Sequence, residues 1–157
     1  MSTQSATKPS LTLKRRLNAP PAKVFAAWTD PEKIKRWMGP ANFTCSAAEI
    51  DFRPGGAYRA MIRSADHGEN WFGGVYREIV PDQRIVFTFA WDNEGPSAGI
   101  ETLVTITFEE RNGKTIQTFH QRPFLTIESR DGHVGGWTTA FDKLEAYAAT
   151  IAKEHSL

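Results

Sequence analysis

From Gly132 to Ile151 the apolar residues Val134, Trp137, Phe141, Leu144, Ala148 and Ile151 recur at alternating steps of three and four. That spacing draws one stripe along a helix, leaving Thr138, Asp142, Lys143 and Glu145 on a solvated face. Lys153 and His155 follow near the chain end, where positive charge suits the helix dipole. At about 1.5 Å per residue such a helix is roughly 30 Å long, enough to cross a small domain. Upstream, Leu11, Leu13 and Leu17 share one parity around Lys14 and Arg16, which predicts a strand with one buried face. Asn18, as a capping side chain, and Pro20-Pro21, with preset φ, then open a short helix whose apolar face is Val24, Phe25 and Trp28. Thr29-Asp30-Pro31 ends it and begins another, carrying Ile34, Trp37 and Met38 up to Gly39-Pro40, so that Trp28 and Trp37 face one interior.

Between Phe43 and Gln121 the period changes to that of short strands, placed at about Thr44–Phe52, Ala57–Arg63, Trp71–Val80, Arg84–Trp91, Glu101–Arg111 and Thr115–Gln121. Turn chemistry separates them: Pro54-Gly55-Gly56, Asp66-His67-Gly68, Pro81-Asp82 and Asn112-Gly113. Asp92–Gly99 reads as a longer loop, and Pro123–Gly132 as a connection long enough to bear function. Gly73-Gly74 reads as a bulge or a close approach of the last helix, and Gly135-Gly136 as a thin helix start. Phe87, Phe89 and Trp91 share one face of their strand and Val104, Ile106 and Phe108 one face of theirs, so that one sheet face carries the bulk. The order of elements predicts an α+β helix-grip fold: a curved antiparallel sheet of about seven strands wrapped around a long C-terminal helix, with two short helices after strand one. Residues 1–10 read as a flexible leader and 11–152 as a single domain.

Composition narrows the possible partners. In 157 residues, 19 basic and 18 acidic side chains leave a net charge of +1 with no dense basic run, which argues against nucleic acid. Cys45 is the sole cysteine, so an intramolecular disulfide and CxxC motifs are excluded, and a cytoplasmic setting is expected. No apolar stretch approaches the roughly 20 residues of a membrane span, so membrane insertion is not expected.

Several stretches together resemble the single-domain family related to the activator of Hsp90 ATPase, within the START and Bet v 1-like (SRPBCC) superfamily. They are Ala19-Pro20-Pro21 with Val24-Phe25-Ala26-Ala27-Trp28-Thr29-Asp30-Pro31, Arg36-Trp37-Met38-Gly39-Pro40, Phe52-Arg53-Pro54-Gly55-Gly56, Gly74-Val75-Tyr76-Arg77-Glu78-Ile79, and Gly136-Trp137. The resemblance covers about Leu11 to Ala149. It implies a sheet gripping the C-terminal helix, with an apolar cavity between them that in relatives often receives lipids, polyketides or other hydrophobic molecules. Hsp90 is the partner that the family name suggests. The eukaryotic co-chaperone has an additional N-terminal domain with no counterpart in this sequence, which counts against direct activation.

Among polar residues, His67, Glu69 and His120 are the first candidates for a metal, but no HxxxH or HExxH spacing joins them and no metal is expected. His133 reads as a helix-start residue or a group at a cavity mouth. No GxSxG elbow, GxGxxG or GxxxxGK[ST] motif is present, so neither nucleophilic catalysis nor a nucleotide cofactor is expected. The informative excess is aromatic: five Trp, ten Phe and three Tyr. Trp37, Phe87, Phe89, Trp91, Trp137 and Phe141 are the expected walls of a cavity, with Tyr58, Tyr76 and His120 as orienting polar groups. The expected function is binding of a small hydrophobic molecule, as a carrier or sensor. The alternatives are a cyclase- or hydrolase-type enzyme moving a proton through His120 or Glu69, and a chaperone-interaction module.

Overall fold

Strand β1 (Leu11–Leu17) buries Leu11 and Leu17, as its alternation requires, and leads into helix α1 (Pro21–Thr29). Pro20 rather than Asn18 occupies the N-cap and no side chain caps it, so proline geometry alone starts this helix. Asp30 ends α1 and caps α2 (Pro31–Ile34) by accepting a 2.9 Å hydrogen bond from the Glu32 amide. The chain reverses at Gly39, whose φ of +104° lies in the left-handed region that glycine tolerates. This short helical segment turns two indoles inward, and the Trp28 and Trp37 rings meet edge to face at 4.7 Å.

The computed structural model describes residues 8–92 and 100–155. Residues 1–7 of the expected leader, 93–99 of the expected loop and the side chains of Lys153 and His155 lie outside the described residues. Strands β2 (Thr44–Ile50), β3 (Ala57–Ser64), β4 (Gly68–Val80), β5 (Arg84–Trp91), β6 (Thr102–Arg111) and β7 (Lys114–Arg122) follow, and helix α3 spans Ile127–His155. All pairings are antiparallel in the order β1-β7-β6-β5-β4-β3-β2, so the first strand pairs with the last and the sheet curls into a half-barrel around α3. Register shifts at Cys45/Ala47 and Tyr76/Glu78 help it bend. At Gly74 a Cβ would stand 2.0 Å from the Thr88 carbonyl oxygen, and at Gly73 2.5 Å from that of Tyr58. The glycine pair therefore admits the neighbouring strands β5 and β3, where the sequence offered a bulge or a close approach of the last helix, and the register shift of β4 falls further on, between Tyr76 and Glu78.

Helix α3 begins five residues before Gly132, which shortens the expected connection. Thr126 caps it by accepting a 3.0 Å bond from the Ser129 amide, and Glu128 lies in the first turn. Gly132, Gly135 and Gly136 are thus inside the helix, and their low propensity hides the true start from a reading of the apolar stripe. Two sets of polar contacts seat α3. Arg15 of β1 pairs with Asp142 at 2.8 Å and Glu145 at 3.0 Å, and donates to the Thr138 carbonyl at 3.2 Å. On the other side, the Lys143 ammonium donates to the Pro40 and Phe43 carbonyls at 3.2 and 3.0 Å. Between these seams the stripe is buried against α1 and the concave sheet face, with Phe141 and Leu144 almost wholly covered.

Candidate ligand-binding site

Along β5 the inward residues are Ile85, Phe87, Phe89 and Trp91, and along β7 they are Thr115, Gln117, Phe119 and Gln121. Much of the space between sheet and α3 is occupied by their rings. Phe119 lies 4.6 Å from Trp137 and 5.3 Å from Phe141, while Trp28 approaches Phe119, Trp137 and Phe141 at 6.1–6.2 Å. Space remains at two places among the described residues. A central cavity of about 20 Å³ lies among α2, strands β2 to β5 and Trp137, large enough for one water-sized occupant. A second, of about 90 Å³, lies under the β7–α3 connection and the first turns of α3. Its walls include Phe89, Trp91, Ile100, Phe124 and Leu125, with Thr102, Gln121 and His133 as polar neighbours.

The polar groups of the second cavity bond to one another and to the backbone. Gln121 accepts from the Trp137 indole at 2.9 Å and donates to the Thr102 hydroxyl at 2.8 Å, which donates to the Phe89 carbonyl at 3.0 Å. His133 Nδ1 lies 2.8 Å from the Ser129 carbonyl oxygen, which can only accept, so Nδ1 carries the proton. Nε2 is then the acceptor for the Trp91 indole N–H at 3.1 Å. Burial holds the His133 imidazole below its ordinary pKa, outweighing the opposite effect of the Ser129 carbonyl. The side chain is a neutral crosslink between β5 and α3. In β7, Gln117 accepts from the Trp28 indole at 2.8 Å, and its buried amide nitrogen has no partner among the described residues.

The residues expected from sequence fall into three groups. Phe89 and Trp91 border the second cavity; Tyr58, Tyr76, Phe87, Phe89 and Trp137 border the central one. Burial raises both phenol pKa values, so both tyrosines stay neutral, and the Tyr58 hydroxyl is committed to the Thr88 carbonyl at 2.7 Å. Trp37 and Phe141 line neither cavity. Trp37 is fully buried and donates to the Ala27 carbonyl at 3.0 Å, and Phe141 is packed among Trp28, Trp37, Phe119 and Trp137.

His120 does not join the site. It has the opposite parity to Phe119 and Gln121, so it lies on the outer sheet face, where Nδ1 sits 2.8 Å from the Thr12 hydroxyl. Glu69 is exposed near the β3–β4 turn, and His67 there stacks on Phe43 at 5.5 Å. Three strand spacings, roughly 14 Å, separate β7 from β4, so the trio His67, Glu69 and His120 is not brought together. Among the described residues no three His, Cys, Asp or Glu side chains could hold a metal. Sequence reasoning missed Thr102, Gln121 and Phe124. The period-2 pattern contained the signal for Gln121, which shares the parity of Phe119.

A half-barrel sheet closed by a C-terminal helix, with residual space under the helix, defines a Bet v 1-like helix-grip protein. The chain belongs to the family described as activator of Hsp90 ATPase homolog 1-like protein, whose model matches residues 18–149. A Chromobacterium violaceum protein of solved structure is 28% identical over 88% of this chain and 96% of its own, with a TM-score of 0.76. The AHSA1 protein of Silicibacter pomeroyi is 25% identical over 90% of this chain and 99% of its own, with a TM-score of 0.79. A Nitrosomonas europaea protein, 23% identical over 94% and 97% of the two chains with a TM-score of 0.78, shares the fold. No curated protein matches the chain significantly. No helix among the described residues is long and apolar enough to cross a membrane.

Proposed function

We propose that the protein binds a small hydrophobic molecule between the curled sheet and α3, acting as a carrier or sensor in the cytoplasm. The observation that carries this reading is the cavity of about 90 Å³ bordered by Phe89, Trp91, Ile100, Phe124 and Leu125. Its polar groups are few and already bonded within the protein, so an apolar occupant displaces little that needs water. Phe87, Tyr58, Tyr76 and Trp137 form the adjoining wall around the central cavity. A void of about 150 Å³ suffices to bind benzene, so the present space suits a compact group, and a larger occupant has to displace aromatic side chains.

Native mass spectrometry of the protein as purified, followed by organic extraction, tests the reading. A stoichiometric small apolar molecule is expected, released on unfolding. An empty protein that also fails to bind across a lipid and aromatic screen contradicts it. Hsp90, for which the family is named, is a separate partner to assay; no stimulation of its ATPase is expected, because the cavity under α3 fits a small molecule.

A further inference from the structure

Among the described residues, Phe89 alone borders both cavities. On the same face of β5, Phe87 borders only the central cavity and Trp91 only the second one. Residues two apart on a strand are separated by about 7 Å, so Trp91 at the second cavity and Phe87 at the central one are about 13 Å apart along β5, and Phe89 stands midway. We propose that Phe89 is the stop that sets how long a ligand the protein accepts, an inference resting on the preceding reading that an apolar molecule enters beside α3.

The way this ring is held supports the role. Its contacts are aromatic: stacked on Phe72 at 5.0 Å, edge to face with Trp91 at 5.5 Å and with Trp137 at 5.9 Å. The Phe89 backbone is fixed by its carbonyl bond to Thr102, whereas the side chain has no polar anchor. Phe89 thus stands between the two cavities beside the Phe72–Trp91 and Trp137–Gln121 contacts, and of these its ring alone borders both, while Gln121, Thr102 and His133 on the second cavity are tied by hydrogen bonds. Beyond the ring, the central cavity continues the apolar lining with Met38, Ile50 and Ile85, and at about 20 Å³ it takes more than the tip of a hydrocarbon chain only where those side chains move aside. The ligand class is therefore a neutral molecule with a compact apolar end, whose extension along β5 is limited by Phe89.

Titration with n-alkylbenzenes of increasing chain length, followed by the indole N–H resonances of Trp91 and Trp137, provides the test. In the parent protein, affinity should rise with each methylene and then stop rising at a definite length, with Trp91 responding first. In Phe89→Leu and Phe89→Ala the limit should move to longer chains, with at least tenfold tighter binding of the first homologue beyond the parent's limit. Phe89→Trp should move it to shorter ones. Leu144→Ala, which removes core bulk bordering neither cavity, should leave the limit where it is. If Phe89→Ala does not fold, the leucine and tryptophan variants decide. Binding by the parent with an unchanged limit in those variants overturns the role of Phe89 and leaves the proposed function standing. Absence of binding in the parent and in every folded variant overturns both.

Discussion

His133 holds β5 to α3 in only one protonation state. With Nδ1 donating to Ser129, protonation of Nε2 would set two donors, the imidazolium and the Trp91 indole, against each other. The folded imidazole pKa is depressed, while an unfolded histidine titrates near 6.5. Below about 6.5 the unfolded chain therefore binds more protons than the folded one, and linkage makes stability rise with pH through that window. The contribution is fully present above it and is lost as the pH falls toward the folded pKa. Thermal unfolding between pH 8 and 5 should show a decline below about 6.5 that is shallower in His133→Gln; equal slopes would remove His133 from the pH response. A contrast on β7 separates the two faces. Gln121→Ala strands the Trp137 indole, at about 1–3 kcal/mol for a buried group left unpaired, while the Thr102 hydroxyl keeps its bond to the Phe89 carbonyl. Thr12→Ala, which removes the His120 partner on the outer face, should change stability by less than about 0.5 kcal/mol in the same chemical denaturation experiment. His120 and Gln121 are adjacent in sequence, and a shift of one residue in parity exchanges surface for interior. The inward faces carrying Phe87, Phe89, Trp137 and Phe141 were legible because large apolar side chains mark them. Gln121 was not, because a buried amide and a solvated one look alike until their partners are placed by other elements.

At the scale of elements, α3 combines a strong apolar stripe with a weak first half. Its order in the fold was legible from that stripe, as the sheet was from period-2 runs and turn residues. Its start was obscured by Gly132, Gly135 and Gly136 and is set instead by Thr126. A methyl group at Gly132 or Gly135 would meet nothing within 4 Å. Alanine there reduces the freedom of the unfolded chain and raises helix propensity without a clash, so each substitution should stabilise by about 0.5–1 kcal/mol. Thr126→Ala should destabilise by about 1 kcal/mol through loss of the cap. Thr126 also borders the second cavity, so the same variant should speed amide exchange over the first turn of α3 and alter ligand exchange rates. Protection of residues 127–131 that matches the parent would show that packing, not the cap, fixes this turn. The connection beneath it is tied down by Phe124, buried and bonded through its amide to the Pro9 carbonyl at 2.9 Å. That tie depends on a residue far away in the chain, which no local pattern reveals.

For the molecule as a whole, the question is how an interior crowded with rings keeps space for a ligand. The aromatic core forms one connected set from Phe25 at one end to Trp91 and His133 at the other. Rings meeting edge to face and at tilted angles satisfy their quadrupoles but tile space imperfectly, and the voids lie toward β5 and the β7–α3 connection. Phe141 is on the filled side. Its neighbours Trp28, Trp37, Phe119 and Trp137 surround it at 5.3–6.3 Å, and it borders neither cavity. Phe141→Ala should therefore behave as a core truncation, losing about 3–5 kcal/mol through lost burial and a new void, and Leu144→Ala should lose about 2–5 kcal/mol. Trp91→Phe keeps most of the ring volume and removes the indole donor facing His133. It should lose about 1 kcal/mol, the net worth of one hydrogen bond, while changing ligand affinity more than either core variant that remains folded. Equilibrium denaturation gives the stabilities, and titration with the extracted ligand or the alkylbenzene series gives the affinities. If all three variants lose stability in proportion to the atoms removed, and no apolar molecule binds the parent, the voids are packing defects and the aromatic interior is core throughout. If affinity instead follows Trp91 while stability follows Phe141 and Leu144, the two tasks are divided between the two ends of the same helix-grip interior.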